Sequence, residues 1–278
     1  MVVTTGFKTI PATLDITYEK LPDYYKLEDE PVENTGQPLI AGGLREILEV
    51  IDFITPEMLI ASNFGICVTV NKQLVIKAPD WVYVAKVKPL SINSDRRSYT
   101  PNLEGENPQI VMEFLSDTEG GEYSNKHTYP YGKMYFYEQI LKVPTYIIFD
   151  PADGSLEVYH LRGTKYQLAT SNDMGLYWLE SIGLYLGVWF GTKEERTGYW
   201  LRWWDKSNIM LPFAVEKIEQ ERLKAEQERL KAEQAEQERA LAEEMLTQER
   251  LKAEQERLKA EKLAEYLRSQ GINPDDIL

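Results

Sequence analysis

From Phe213 to Gln270 the chain contains no glycine and no proline, and almost every residue is Glu, Gln, Lys, Arg, Ala or Leu. These are the better helix formers, and a run this long without a breaker can only be a helix or a disordered strand of charge. The unit QERLKAE recurs at 220–226, 227–233, 248–254 and 255–261, which invites a coiled-coil assignment. The seam is thin. Leu223, Leu230, Leu251 and Leu258 share one heptad phase, but Gln237 and Glu244 interrupt it. No second apolar position stands three or four residues from Leu223. Pairs such as Arg222 with Glu226 and Arg229 with Glu233 supply the other support, each about a few tenths of a kcal/mol. The reading is one helix over 214–268, in which a solvated single helix or a weak, antiparallel association competes with a stable dimer. Gly271 and the proline of GINPDDIL end it.

The tail sets a boundary. Residues 1–213 form the first expected domain and 214–270 the charged helical, coiled-coil-like tail. The first part is aromatic and punctuated by Gly and Pro, as a folded domain requires. One cysteine, Cys67, excludes an intrachain disulfide framework, and two histidines, His127 and His160, make a His-rich metal site improbable. The start MVVTTGFKTI has no signal-peptide pattern and no run is long enough to span a membrane, so a cytoplasmic protein with no membrane partner is expected. A net charge of −14 argues against holding nucleic acid mainly by electrostatics. It leaves room for a local basic groove or for a metal that brings its own charge.

The first 213 residues read as α/β or α+β. LREILEVIDFI has the spacing of an amphipathic helix over 44–54. ICVTV (66–70), LVIKAPDWVYVA (74–85, kinked at Pro79) and QIVMEFLS (109–116) read as strands. GKMYFYEQILK (132–142) reads as a helix, and TYIIFD–PADG–SLEVYHL as a hairpin. YQLAT, LGVWFG and GYWLRWWD supply later strands or irregular aromatic segments. The expected sheet is mixed, with 74–85, 109–116 and 145–150 adjacent and the two helices flanking it.

Two acids sit where strand propensity does not want them. Asp80 interrupts LVIKAPDWVYVA and Glu113 interrupts QIVMEFLS. A buried carboxylate is costly unless it is paired or binds a cation. Two on neighbouring strands can share one divalent metal with waters. Mg²⁺ favours such oxygen ligands, and beside a phosphodiester it activates water. The competing reading pairs each acid with an Arg or Lys at a strand end. Lys133 opens its helix on the same face as Tyr137 and Ile140, at an end where the helix dipole disfavours a cation, so an anion is expected nearby. A snorkelling rim lysine is the alternative, and Lys126, in the loop GGEYSNKHTYPY, is the rival.

KAPDWVYV, RRSYT, PQIVMEFLS and YGKMYFYEQILKVPTYIIFDPADGSLEVYHL, in that order, resemble the Uma-type restriction endonuclease family of the PD-(D/E)XK nuclease superfamily, over roughly residues 30–190. The WLRWWD segment followed by QERLKAE repeats is similar to the tail of a cyanobacterial branch. The resemblance implies a PD-(D/E)XK nuclease-like mixed sheet flanked by helices. It implies that Asp80 matches the Asp of the PD motif and Glu113 the acidic residue of the second motif. The lysine of that motif is replaced by Leu115, and the resemblance implies that it has moved to the following helix, where Lys133 fits. A helix glutamate often completes such sites; Glu33 and Glu46 both qualify.

The implied activity is endonucleolytic hydrolysis of DNA, with Asp80 and Glu113 holding Mg²⁺ (or Mn²⁺) and Lys133 orienting water or countering developing charge. The alternative is a catalytically degenerate scaffold that recruits partners, or a second copy weakly, through its C-terminal helix. Arg96 and Arg97 suit a phosphate backbone or pairing with Glu104 or Glu106. Tyr199, Trp200, Trp203 and Trp204 suit core packing better than base stacking.

Overall fold

The computed structural model describes residues 14–22, 24–25, 35–91, 94–116 and 121–271. It divides into two units, Met1–Ala214 and Val215–Leu278.

The first unit is a mixed α+β fold. A short strand, β1 (Ile16–Thr17), precedes helix α1 (Gly36–Val50). Strands β2 (Leu59–Ala61), β3 (Ile66–Val70), β4 (Gln73–Lys77), β5 (Trp81–Val84) and β6 (Ile110–Phe114) follow. Helix α2 (Lys133–Tyr135) then runs straight into a π-helical turn over Phe136–Leu141. Six further strands complete the unit: β7 (Thr145–Phe149), β8 (Leu156–Arg162), β9 (Lys165–Leu168), β10 (Tyr177–Leu179), β11 (Leu184–Lys193) and β12 (Arg196–Trp204).

Six strands form the main sheet in the order β2-β5-β6-β7-β8-β9. All its pairings are antiparallel except β6 with β7. That exception follows from the sequence between them: parallel neighbours need a long crossover, and the segment holding α2 provides it. Two smaller sheets, β1-β3-β4 and β10-β11-β12, complete the unit.

Alternation along the central strands builds two cores. Trp81 and Tyr83 of β5, Ile110, Met112 and Phe114 of β6, and Ile147 and Phe149 of β7 face one way. There they meet Ile40, Leu44, Ile47 and Leu48 of α1 and Trp200 and Trp203 of β12. Val82 and Val84, Val111, and Tyr146 and Ile148 face the other way, toward Val68 and Val70 of β3 and Phe136, Tyr137 and Ile140 of the α2 segment. A period of two on strands buried on both faces is what gives these runs their continuous apolar look.

Two expectations need correction. The 74–85 segment is two strands, β4 and β5, in different sheets, because Ala78-Pro79-Asp80 breaks the ladder where proline has no N–H to donate. The helix expected over 44–54 begins at Gly36 and ends at Val50. Its extra turns contain Gly42 and Gly43, poor helix residues; a Cβ at Gly43 would lie 3.2 Å from the Phe213 ring, so packing overrides propensity there. It stops early because the amide of Phe53 returns to the carbonyl of Leu48 at 3.0 Å and Asp52 takes a positive φ of 55°. Of the two readings of LGVWFG and GYWLRWWD, strands or irregular segments, the structure shows strands. They are one long hairpin, β11–β12, with Tyr185 opposite Trp204 and Lys193 opposite Arg196.

The second unit carries helix α3 (Ala214–Ser269), which begins at the last residue of the first unit and runs 56 residues without a break and with no buried residue. At about 1.5 Å per residue it is roughly 84 Å long. Leu223, Leu230, Leu251 and Leu258 are all exposed, as are Leu241, Met245 and Leu246 out of their phase. Arg222 pairs with Glu219, and Arg229 with both Glu226 and Glu233, at 2.9 to 3.6 Å. Among the described residues, no helix is long and apolar enough to cross a membrane.

Candidate functional site

Strand pairing juxtaposes the two odd carboxylates. Trp81 of β5 stands opposite Met112 of β6 in an antiparallel ladder. One further step along that register sets Asp80 opposite Glu113. Period-two alternation turns both toward the face that carries Val82 and Val111, the face covered by the α2 segment. Asp80 is anchored by its side chain: its Oδ2 accepts the backbone N–H of Phe114 at 2.6 Å. It stays half-buried, whereas Glu113 is 1% exposed.

The helix delivers the cation. Lys133 Nζ donates to Glu113 Oε2 at 3.2 Å and to Glu122 Oε1 at 3.1 Å. Four residues on, one turn along the same face, the Tyr137 hydroxyl donates to Glu113 Oε1 at 2.9 Å. Both oxygens of Glu113 are therefore engaged. Glu122 lies in a short 3-10 turn, Gly121–Tyr123, whose Glu122 carbonyl accepts the Tyr146 hydroxyl at 2.9 Å. Glu122 is buried, and its Oε2 has no hydrogen-bond partner. A buried carboxylate oxygen left unpaired is costly, and here it faces a neighbourhood already rich in negative charge.

The electrostatics follow from that surplus. Burial pushes the Glu113 carboxyl up to about 7; Lys133 opposes the rise and Asp80 adds to it. Burial also works against the Lys133 ammonium, but Glu113 and Glu122 outweigh it, so its net shift is upward and it stays charged. Tyr137, raised well above its ordinary value by burial and then by Glu113, remains a protonated donor. One ammonium thus serves the carboxylates of both Glu113 and Glu122.

The sequence-derived candidates separate clearly. Asp80, Glu113 and Lys133 come together. Lys126 is exposed and contributes its backbone carbonyl, which accepts the Gly132 N–H at 2.9 Å. Glu46 is engaged elsewhere: it pairs with Lys193 at 2.8 Å and accepts the Ala214 N–H at 2.8 Å. Glu33 lies outside the described residues. The sequence reading missed Glu122, because a loop glutamate after two glycines looks solvated and its burial depends on Lys133. It placed Tyr137 on the right face but gave it no partner.

Two other groups resolve toward ordinary packing. Arg96 pairs with Glu104 at 2.9 Å and also donates to the Lys88 carbonyl. Trp200 and Trp203 are at most 1% exposed, and the Trp203 indole N–H donates to the Leu44 carbonyl at 3.0 Å.

Residues 47–192 match the family model Uma2, whose description is "Putative restriction endonuclease"; the match covers just over half of the chain and includes every member of the cluster. No curated protein matches the sequence.

Proposed function

The chain belongs to the Uma2 family, and on that premise we propose that it is a divalent-metal-dependent endonuclease that hydrolyses DNA phosphodiester bonds. The observation that carries the reading is the set of contacts at Glu113: a carboxylate in the middle of a buried strand, in register with Asp80 and tied to Lys133.

The residues suit a hard divalent cation. Their donors are carboxylate oxygens, the Oε2 of Glu122 has no hydrogen-bond partner, and Lys133 is shared between two buried carboxylates. Among the described residues, no three His, Cys, Asp or Glu side chains form a ready cage. Mg²⁺ does not require one, since it commonly takes one or two carboxylates and keeps several waters. Asp80 and Glu113 would hold it; once bound, it would polarise the scissile phosphoryl group and favour hydroxide over water. Asp80 fixes its own orientation through the Phe114 N–H. Glu113 is aimed by Tyr137. Lys133 presents a charged amine where negative charge develops on the phosphoryl oxygens.

Cleavage of plasmid and of single-stranded DNA, with Mg²⁺, with Mn²⁺ and with a chelator, tests this. We expect cleavage only with metal, and its loss in Lys133→Gln. Metal-independent cleavage, or an unimpaired Lys133→Gln, overturns the assignment. One observation favours a second reading. Both Glu113 oxygens are already satisfied, as in a closed structural network, so a folded parent that neither cuts nor is stabilised by either metal would be a scaffold.

A further inference from the structure

The loop that joins Glu122 to Lys133, together with Tyr135 of α2, holds four aromatic rings in a row. His127 packs on Tyr135 with ring centroids 5.6 Å apart, Tyr135 lies nearly parallel to Tyr131 at 5.9 Å and 21°, and Tyr131 meets Tyr129 edge-on at 6.3 Å. The two ends of the row are open and its middle is covered. Tyr131 is 5% exposed and Tyr135 half-buried, but Tyr129 is 54% exposed and His127 is exposed. A tyrosine that open, with one edge already braced by another ring, gains little from folding.

The loop is also held firmly. The Gly132 N–H donates to the Lys126 carbonyl at 2.9 Å, and the Tyr135 N–H reaches the Ser124 carbonyl at 3.4 Å. A Cβ at Gly132 would lie 2.1 Å from the Ser124 carbonyl oxygen, so only glycine permits this closure. Both ends of the loop belong to the charged cluster. Tyr131 and Tyr135 stand two residues either side of Lys133, within about 7 Å of its Cα by chain length alone. The backbone that carries Tyr131 and Tyr135 therefore flanks Lys133 directly.

Charge narrows what they receive. Residues 1–213 carry 19 Lys and Arg against 28 Asp and Glu, and Arg96 is spent on Glu104. A duplex held along its backbone needs many phosphate contacts. An unpaired strand can instead be held by bases stacking on aromatic faces.

We propose that His127 and Tyr129, backed by Tyr135 and Tyr131, form a stacking platform for unpaired bases, so that the substrate of this site is DNA with a single-stranded segment. This rests on the nuclease reading for its substrate, and the two are separable by experiment. Full-length protein in chelator is titrated with a fluorescent single-stranded oligonucleotide and with its duplex, at two salt concentrations. Cleavage of both is measured separately with Mg²⁺.

We expect the single strand to bind at least about tenfold more tightly than the duplex and with a shallower salt dependence than the duplex shows. Tyr129→Ala should weaken it by about tenfold, within the range for one lost base stack, and Tyr129→Phe should restore it. His127→Ala provides an independent route, and matching thermal melts establish that each variant is folded. If the parent cuts DNA but prefers duplex, or ignores Tyr129→Ala, the platform is wrong and the nuclease stands. If ring-dependent binding is present without cleavage under any metal, the platform stands and the nuclease falls. If no DNA is bound or cut, both fall.

Discussion

Neutralising Glu113 should make the protein more stable above neutral pH while removing its activity. In the unfolded chain this carboxyl ionises near 4.5; in the fold, burial pushes it up to about 7. The folded state therefore binds the extra proton between those values. The stabilising contribution is complete below 4.5, declines as pH rises, and is gone once pH passes 7. At 1.36 kcal/mol per pKa unit the full difference is about 3 kcal/mol. Lys133 does not blur this window, because its shift is upward and titrates beyond 10.5. Glu113→Gln deletes the ionisation while keeping an acceptor for the Tyr137 hydroxyl. It weakens the Lys133 hydrogen bond, but Lys133 retains Glu122 at 3.1 Å. The net gain at pH 8 should be about 1–3 kcal/mol, with none at pH 4.5. Urea unfolding of parent and variant in chelator, from pH 4.5 to 8.5, measures it. Parallel stability curves, or a variant weaker than the parent at pH 8, would refute the view that Glu113 sits charged at a cost. Such a residue is a stability–function compromise: a cation that lowers its pKa would recover part of the cost on binding.

Four other outcomes follow from the same geometry. Asp80→Asn keeps an acceptor for the Phe114 N–H, so it should unfold within about 1 kcal/mol of the parent. It should lose Mg²⁺-dependent cleavage and the metal-induced stabilisation, which for the parent is about 1.4 kcal/mol at ten times Kd; an unchanged cleavage rate would remove Asp80 from the ligand set. Gly132→Ala forces the Ser124 carbonyl away, and by analogy with overpacked sites should cost about 1–3 kcal/mol in a thermal melt and slow cleavage by moving Lys133. Trp203→Ala, at a fully buried position, should cost about 3–5 kcal/mol by chemical denaturation, and the remaining folded protein should bind single strands as the parent does. A peptide of residues 214–271 should be helical by circular dichroism yet associate only at about micromolar concentration or above in sedimentation, given one exposed leucine per heptad. A tight nanomolar dimer with a sharp melt would show that the seam was undervalued.

Local chemistry fixed much of this in advance. The unbroken tail follows from composition alone, because nothing between Phe213 and Gln270 can stop a helix. Asp80, Glu113 and Lys133 were visible as charges at positions where an apolar period expected none. A period violation needs no tertiary knowledge to detect. What the sequence could not set was pairing. That Asp80 faces Glu113 depends on an antiparallel register between strands some thirty residues apart, and such a register is chosen by the packing of whole faces. The same limit hid the split of β4 from β5, since a proline announces a break but not that the chain changes sheets. It hid the start of α1 at Gly36, where the close packing of Gly43 on Phe213 outweighs that glycine's poor propensity. Glu122 marks the far end of the scale. A glutamate in a glycine-rich loop is solvated by every local rule, and only a lysine arriving from the next helix makes its burial affordable.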